Sequence, residues 1–423
     1  MMESQSASAV GRAGRPSPAS LFIGRQPIFD ARRQVVAYEL LFRCDSDNHC
    51  PATDADLASL ATLNSSLNVV GLRSLVGDKL AFVNVTRELL IGQTLRMLPP
   101  GQVVIELLET IEADDEVLAA LAELKEEGFT IALDDFVLTP RTEPLVAMAD
   151  LIKLDLLLGG IEGCRKLMAQ TRRPGLKYLA EKVESDEVFA QMKQLGCTMF
   201  QGFFFARPQV LKASRLGTGR VQSMRLMKML AGESIDFAAA EAILKQDVTF
   251  SLKLLTYLNS AGLGLKHEVT SIRHAVALLG EIKLRQWVSL VAMTMLVEDK
   301  PTELARLSMV RARFLESVAP LTRHTTPGVD PFLLGLFSLL DAMLDQEMAQ
   351  AVEQLALTDA MKNALTGRDA TLNPPLAMAR ACERGEWNEM DKIAASLSMN
   401  SIIAADHYRC AMRWADEVMT IDA

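Results

Sequence analysis

The sequence predicts two domains in tandem: an α/β (β/α) barrel of the TIM type, then an all-helical domain. Three observations point there. Over residues 22–210 short apolar runs alternate with helix-length amphipathic segments, each run carries a charged or amide side chain at or near its C-terminal end, and beyond about residue 219 helical periodicity takes over. Strand–helix alternation means a parallel sheet, open or closed. The polar run ends favour closure, because a barrel gathers the C-terminal ends of its strands into one mouth.

The strand-like runs are YELLFR (38–43), LAFVNV (80–85), VVIELL (103–108), TIALDD (130–135), LIKLD (151–155), LKYLAEKV (176–183) and MFQGFFF (199–205). One intervening helix is expected from about Asp114 to Glu127, stopped by Gly128; another follows Ser185 as N-cap, buries Val188, Phe189, Met192 and Leu195, and stops at Gly196. The run-end polar residues are Glu39, Asn84, Glu106, Asp134 with Asp135, Lys153 with Asp155, Glu181 and Gln201. Residues two apart on a strand share a face, so Lys153 and Asp155 point the same way. A charge inside a strand costs several kcal/mol unless it is paired or metal-bound. The second domain shows helical spacing at Leu254, Leu255 and Leu258, and at Ile272, Ala275, Val276 and Leu279, with Ser271 and Gly280 as bounds. The expected division is a disordered tail over 1–20, a barrel over 21–212 and a helical domain over 213–423, joined near Leu211–Gly219.

A chain of 423 residues with 49% apolar residues can fill two cores, and its few aromatics favour helices. Its net charge of −9, without a long basic run, argues against DNA binding. Cysteines at 44, 50, 164, 197, 382 and 410 show no paired spacing and read as reduced thiols. No run reaches about 18 apolar residues and no signal peptide is evident, so a cytoplasmic protein off the membrane is expected. Cys44, His49 and Cys50 read as a chance cluster rather than a metal site.

Carboxylates and an amide oxygen in one mouth are hard ligands suited to Mg²⁺ or Mn²⁺. The adjacent Asp134 and Asp135 can flank a metal pair, the usual device for in-line attack on a phosphodiester. Lys153 would then hold a water or offset phosphate charge, and Glu181 would take a proton. The same residues would also serve as rim salt bridges with Lys153 and nearby arginines.

At this point the motifs resemble the EAL family. Glu39-Leu40-Leu41 with Arg43 resembles the EAL signature, FVNVT around Asn84 its Asn ligand, and IELLET, with Glu106 and Glu109, its ExTE motif. Asp134-Asp135-Phe136 resembles DDF, Lys153-Leu154-Asp155 KxD, Glu181-Lys182-Val183-Glu184 EGVE, and Gln201-Gly202-Phe203 QGY. The resemblance implies hydrolysis of cyclic-di-GMP to linear pGpG with two Mg²⁺ or Mn²⁺ ions. Glu39, Asn84, Glu106 and Asp134 would hold one ion, and Asp134, Asp135 and Glu181 would surround the second. Lys153 would orient water, Arg43 and Gln201 would position substrate, and Glu109 would support the rim.

Some positions depart from that pattern. Leu40 is bulkier than the usual residue, Val137 replaces the Gly after DDF, and the following loop reads LTPRTEPL, stiffened by Pro140 and Pro144. Lys182 replaces the Gly of EGVE, and strand alternation is expected to turn it away from the barrel axis. The altered loop leaves two alternatives to the enzyme: a catalytically inactive cyclic-di-GMP receptor, and an interaction scaffold. A mouth closed by internal salt bridges would count against catalysis.

The segment LLTYLNSAGLGLKHEVTSIRHAVALLG resembles the HDOD domain, and with GRQPIFD near the start and FLLGLFSLLDAML (332–344) the whole chain resembles the EAL–HDOD group. None of the five histidines precedes an Asp, so an HD-type metal site is not expected. The implied role of the helical domain is binding an unidentified protein partner. A homodimer is also implied, through the loop that is altered here.

Overall fold

The computed structural model describes residues 21–44, 72–206, 280–290, 300–322, 329–355, 357–368 and 373–421. Eight strands close into a barrel in chain order: β1 (Leu21–Asp30), β2 (Val35–Cys44), β3 (Leu80–Val85), β4 (Val103–Leu107), β5 (Thr130–Leu133), β6 (Leu151–Asp155), β7 (Lys177–Glu181) and β8 (Met199–Gln201). Neighbours from β2 to β8 are parallel, whereas β1 runs antiparallel to both β2 and β8. The sequence reading did not include β1. Its direction follows from the tight turn to β2, where the Asp30 carboxylate accepts hydrogen bonds from the backbone N–H groups of Arg32 and Gln34 at 2.8 and 2.9 Å. A hairpin that short can join only antiparallel strands.

Period-two alternation builds the barrel interior. Ile28, Ala37, Phe82, Val104, Ala132, Leu151 and Leu179, one from each of β1–β7, form an apolar floor with Met199 packed against it. On every strand a polar residue stands two positions from that floor: Gln26, Glu39, Asn84, Glu106, Asp134, Lys153, Glu181 and Gln201. Residues of the opposite face, such as Val83, Ile105, Ile131, Ile152 and Ala180, belong to the larger core outside the barrel. Leu40 lies on that outer face at 1% exposure, so its extra bulk is core packing, away from the mouth.

Around the barrel stand α1 (Leu72–Val76), α2 (Arg87–Ile91), α3 (Asp115–Glu126), α4 (Glu143–Met148), α5 (Leu156–Thr171) and α6 (Asp186–Leu195). The helix boundaries read from the sequence hold within a residue. Asp114 caps α3 and Ser185 caps α6, whose chain leaves through Gly196 at φ 111°. The run 199–205 is not one strand. It breaks at Gly202, and Phe203–Ala206 forms a 3-10 turn. A Cβ at Gly202 would lie 2.1 Å from the Val183 carbonyl oxygen, so only glycine fits there.

The C-terminal part is helical: α7 (280–290), α8 (Thr302–Val318), α9 (Pro331–Phe337), α10 (Leu340–Leu344), α11 (Met348–Glu353), α12 (Asp359–Leu365), α13 (Asn373–Arg384), α14 (Trp387–Ser396) and α15 (Ser401–Ile421). The apolar stretch 332–344 is core, with Phe332, Leu334, Leu336, Phe337, Leu340 and Met343 all buried. The expected domain joint, the helices around Leu254 and Ile272, the tail, and His49, His267, His274 and His324 lie outside the described residues. Among the described residues no helix is long and apolar enough to cross a membrane.

The helical part packs on β1 and β2 through a buried seam. A Cβ at Gly24 would stand 2.9 Å from the Cys382 carbonyl oxygen. Both Asp416 carboxylate oxygens accept from Arg25 at 2.7 Å, Arg306 donates to Asp416 at 2.7 Å and to Glu303 at 3.0 Å, and the Tyr38 hydroxyl donates to Glu303 at 3.0 Å.

Candidate metal centre in the barrel mouth

Because each strand places its polar residue two positions beyond the floor, eight side chains of different chemistry meet in one ring. Glu39 is central to it. Its carboxylate accepts from Asn84 at 3.2 Å, from Gln201 at 2.7 Å and from Lys153 at 3.4 Å. Gln201 also donates to Gln26 at 2.8 Å. Lys153 is only 1% exposed, and its ammonium stands 3.0 Å from Asp134, 2.7 Å from Glu181 and in direct contact with Glu106. Asp135 adopts a left-handed backbone, φ 41°, just past the end of β5. Carboxylate oxygens of Asp134, Asp135 and Glu181 all lie within 4.8 Å of one another.

The electrostatics separate these acids. Burial raises the pKa of Glu39, but the Lys153 charge and the hydrogen bonds from Gln201 and Asn84 outweigh it and hold the carboxyl below its ordinary value. Burial pushes Glu106 well up, only partly opposed by Lys153 and reinforced by Glu39, Asp134 and Glu181. Glu181 is raised to about 8, chiefly by burial, with Asp134 and Glu39 adding to it against Lys153. Burial and the neighbouring Asp134 raise Asp135. Burial opposes the charge on Lys153, yet the acids around it win and its pKa lies well above the ordinary lysine value.

The donor set fits a divalent cation. The buried polar atoms of this mouth without a hydrogen bond are Asn84 Oδ1, both Glu106 oxygens, Asp135 Oδ1 and Gln201 Oε1. Every one is an oxygen acceptor. Glu106 does touch the Lys153 ammonium, but as a charge contact without hydrogen-bond alignment. A buried acceptor left unsatisfied costs about 1–3 kcal/mol. Several in one place, all hard oxygens, match Mg²⁺ or Mn²⁺ rather than a softer ion. The internal salt bridges weighed against catalysis are present, but they do not exhaust the acids.

Asp155 is committed elsewhere. One oxygen caps α5 by accepting from the Leu157 N–H at 2.6 Å, and the other pairs with Lys182. Here the alternation argument fails: Lys182 does not turn away, but lines the mouth cavity. Its backbone is left-handed, φ 56°, and this twist past the end of β7 redirects the side chain. Val137 carries no such strain; among the described residues of that loop the left-handed position is Asp135. The loop is pinned instead by hydroxyls. Thr142 donates to the Val137 carbonyl at 2.7 Å and accepts from the Thr139 N–H at 2.9 Å, while Arg141 pairs with Glu112 at 2.9 Å.

Glu109 stands apart from the ring. It is exposed and lines a neighbouring hollow of about 520 Å³ that also borders Asp134 and Asp135. Arg43 lies on β2 opposite Phe22, and its side chain is outside the described residues. Gln26 was not anticipated, although its spacing from Ile28 in GRQPIFD carries the same two-residue signal.

The EAL domain model matches residues 21–208 and the HDOD domain model residues 220–371. The cyclic di-GMP phosphodiesterase CdgJ of Vibrio cholerae is 33% identical over 402 residues, 94% of this chain and 93% of that protein. The chain belongs to the EAL–HDOD family. YuxH of Bacillus subtilis, an uncharacterized protein, is 31% identical over 94% of this chain and 99% of its own length. A solved manganese and cyclic-di-GMP complex of Klebsiella pneumoniae BlrP1 is 23% identical, with a TM-score of 0.38, over 46% of this chain and 57% of that one.

In this EAL–HDOD protein helical residues overhang the mouth, and a cavity of about 580 Å³ lies between the acid ring and Arg311, Arg380, Glu383 and Arg384. Leu41 of β2 meets the turn at Gly385 so closely that a Cβ there would lie 2.6 Å from the Leu41 side chain. No local pattern in the sequence announces this roof, because it and the acid ring are more than 100 residues apart.

Proposed function

We propose that the protein is a metal-dependent phosphodiesterase that hydrolyses cyclic-di-GMP to linear pGpG in the cytoplasm. The observation that carries this reading is the surplus of buried oxygen acceptors in the mouth. Within the ring Glu39, Glu106, Asp134, Asp135 and Glu181 share one buried cation, Lys153, while Asp155 and Lys182 pair with each other. The family membership and the 33% identity to CdgJ support the same substrate.

Glu39, Asn84, Glu106 and Asp134 would hold one divalent cation, and Asp134, Asp135 and Glu181 a second. Mg²⁺ or Mn²⁺ would supply charge to the phosphate oxygens and acidify a water. Asn84 and Gln201 fix the Glu39 carboxylate from both sides, so this acid is held before anything binds. Lys153 lends the acids positive charge and is placed to orient water once they are shared. Glu181, poised near pH 8, accepts the water proton. Water adds at one phosphorus, the bond to the 3′ oxygen breaks, and that oxygen leaves protonated. Gln201 and Arg43 position the dinucleotide, and Glu109 supports the loop beside Asp134 and Asp135. The HDOD domain carries the output to a protein partner, and the chain forms a homodimer.

The test is incubation of the purified protein with cyclic-di-GMP and Mn²⁺ or Mg²⁺, with products separated by chromatography. Linear pGpG from the intact protein, reduced at least about 100-fold in Glu39→Ala, is expected. The hydroxyl-pinned loop at 137–142 supports a second reading, a receptor that binds without turnover. Tight binding with no product would establish that reading and end the first.

A further inference from the structure

The roof of the mouth carries a basic face that the hydrolytic reading does not use. Arg380, Glu383 and Arg384 are three and four apart on α13 and so share one side of the helix. All three line the cavity above the acid ring. Their states differ. Glu383 is spent on Arg311, which grips both of its oxygens at 2.7 and 2.6 Å, with both side chains buried. Arg384 lies over the Phe203 ring at 5.3 Å and reaches Glu386 only at 3.7 Å, an exposed and weak pair. Arg380 makes no hydrogen bond or ion pair among the described residues, although its side chain stands at a cavity wall.

Arg380 is also crowded. Its side chain is exposed, yet desolvation at the cavity wall and then the like charges of Arg311 and Arg384 pull its pKa down, while Glu383 and Asp341 only partly compensate. Asp341 is itself engaged, accepting from the Ala342 N–H at 2.9 Å. With Glu383 taken by Arg311 and Glu386 only weakly paired with Arg384, the guanidinium groups of Arg380 and Arg384 suit a planar or tetrahedral anion that accepts two bonds at once. The cavity therefore has an acid floor suited to cations and a basic roof suited to phosphate. These residues lie past the end of the HDOD match at residue 371.

We propose that the C-terminal helix α13 completes the dinucleotide site, with Arg380 and Arg384 binding phosphate of cyclic-di-GMP from the side opposite the acid ring. Occupancy would then clamp α13 onto the barrel and pass the ligand state directly to the helical part. This inference rests on the cyclic-di-GMP reading above.

The experiment is calorimetry of the full chain with cyclic-di-GMP in Ca²⁺, checking by chromatography that the ligand stays intact. Amide hydrogen exchange follows residues 373–386 in parallel. Expected are roughly 10- to 100-fold weaker binding in the Arg380→Ala/Arg384→Ala double variant, the scale of one or two charge-assisted hydrogen bonds, and unchanged binding in Arg409→Ala. Arg380→Gln should show an intermediate loss, and ligand should slow exchange across α13 in the unmodified protein. Binding by the double variant equal to wild type, with no exchange protection in α13, would overturn the inference while leaving the functional reading intact. Failure of the wild type to bind in any divalent ion would overturn both.

Discussion

Among the described residues buried charge is built in two different ways. At the domain seam Arg25 and Arg306 face Asp416 and Glu303, cation for anion, and the atoms left over there are N–H donors, Arg25 Nε and Arg306 Nη2. In the mouth acids outnumber lysines, and the atoms left over are all oxygens. A matched cluster holds two surfaces together, and its net worth is small even though breaking it is costly. An unmatched cluster is unstable by itself and makes sense only with something bound. Charge balance, rather than burial, thus separates the structural polar core from the functional one.

Removing one charge from each kind of cluster should break or sharpen this contrast. Arg311→Ala would strand Glu383 in a matched pair and is expected to cost about 3–5 kcal/mol. Glu106→Gln removes a charge from the surplus and should leave the metal-free protein as stable as wild type or more so, since burial already disfavours that charge. Urea unfolding of both variants in chelator reads the difference directly, and equal losses would erase the distinction. A smaller effect is expected at the roof contact. Gly385→Ala forces an alanine to φ 68° and into the Leu41 side chain, with an expected loss of about 1–3 kcal/mol, visible as a lowered thermal midpoint.

How far the sequence told this story depends on range. The ring was legible because strand alternation is local: Glu106 two beyond Val104, or Glu181 two beyond Leu179, can be read from five residues. The caps at Asp114 and Ser185 were legible for the same reason. Lys182 defeated the reading because a single left-handed residue cancels alternation, and a side chain rather than glycine concealed it. The antiparallel β1 was missed because its Gly and Pro obscure the strand pattern of GRQPIFD. Nothing local predicts that Arg380 should stand above Lys153, since that placement belongs to the packing of two domains.

The central claim is that the mouth's surplus oxygens bind divalent cations, and titrating Mn²⁺ into chelator-stripped protein by calorimetry tests it most directly. Glu181 holds its proton below about pH 8, and the raised Asp135 adds to the same trend, so cation binding must expel protons and weaken as pH falls. Saturable binding is expected, with proton release, an affinity roughly 10- to 100-fold lower at pH 6 than at pH 8, and loss of the signal in Asp134→Asn/Asp135→Asn. Absence of binding, or binding indifferent to both pH and those two aspartates, would contradict it.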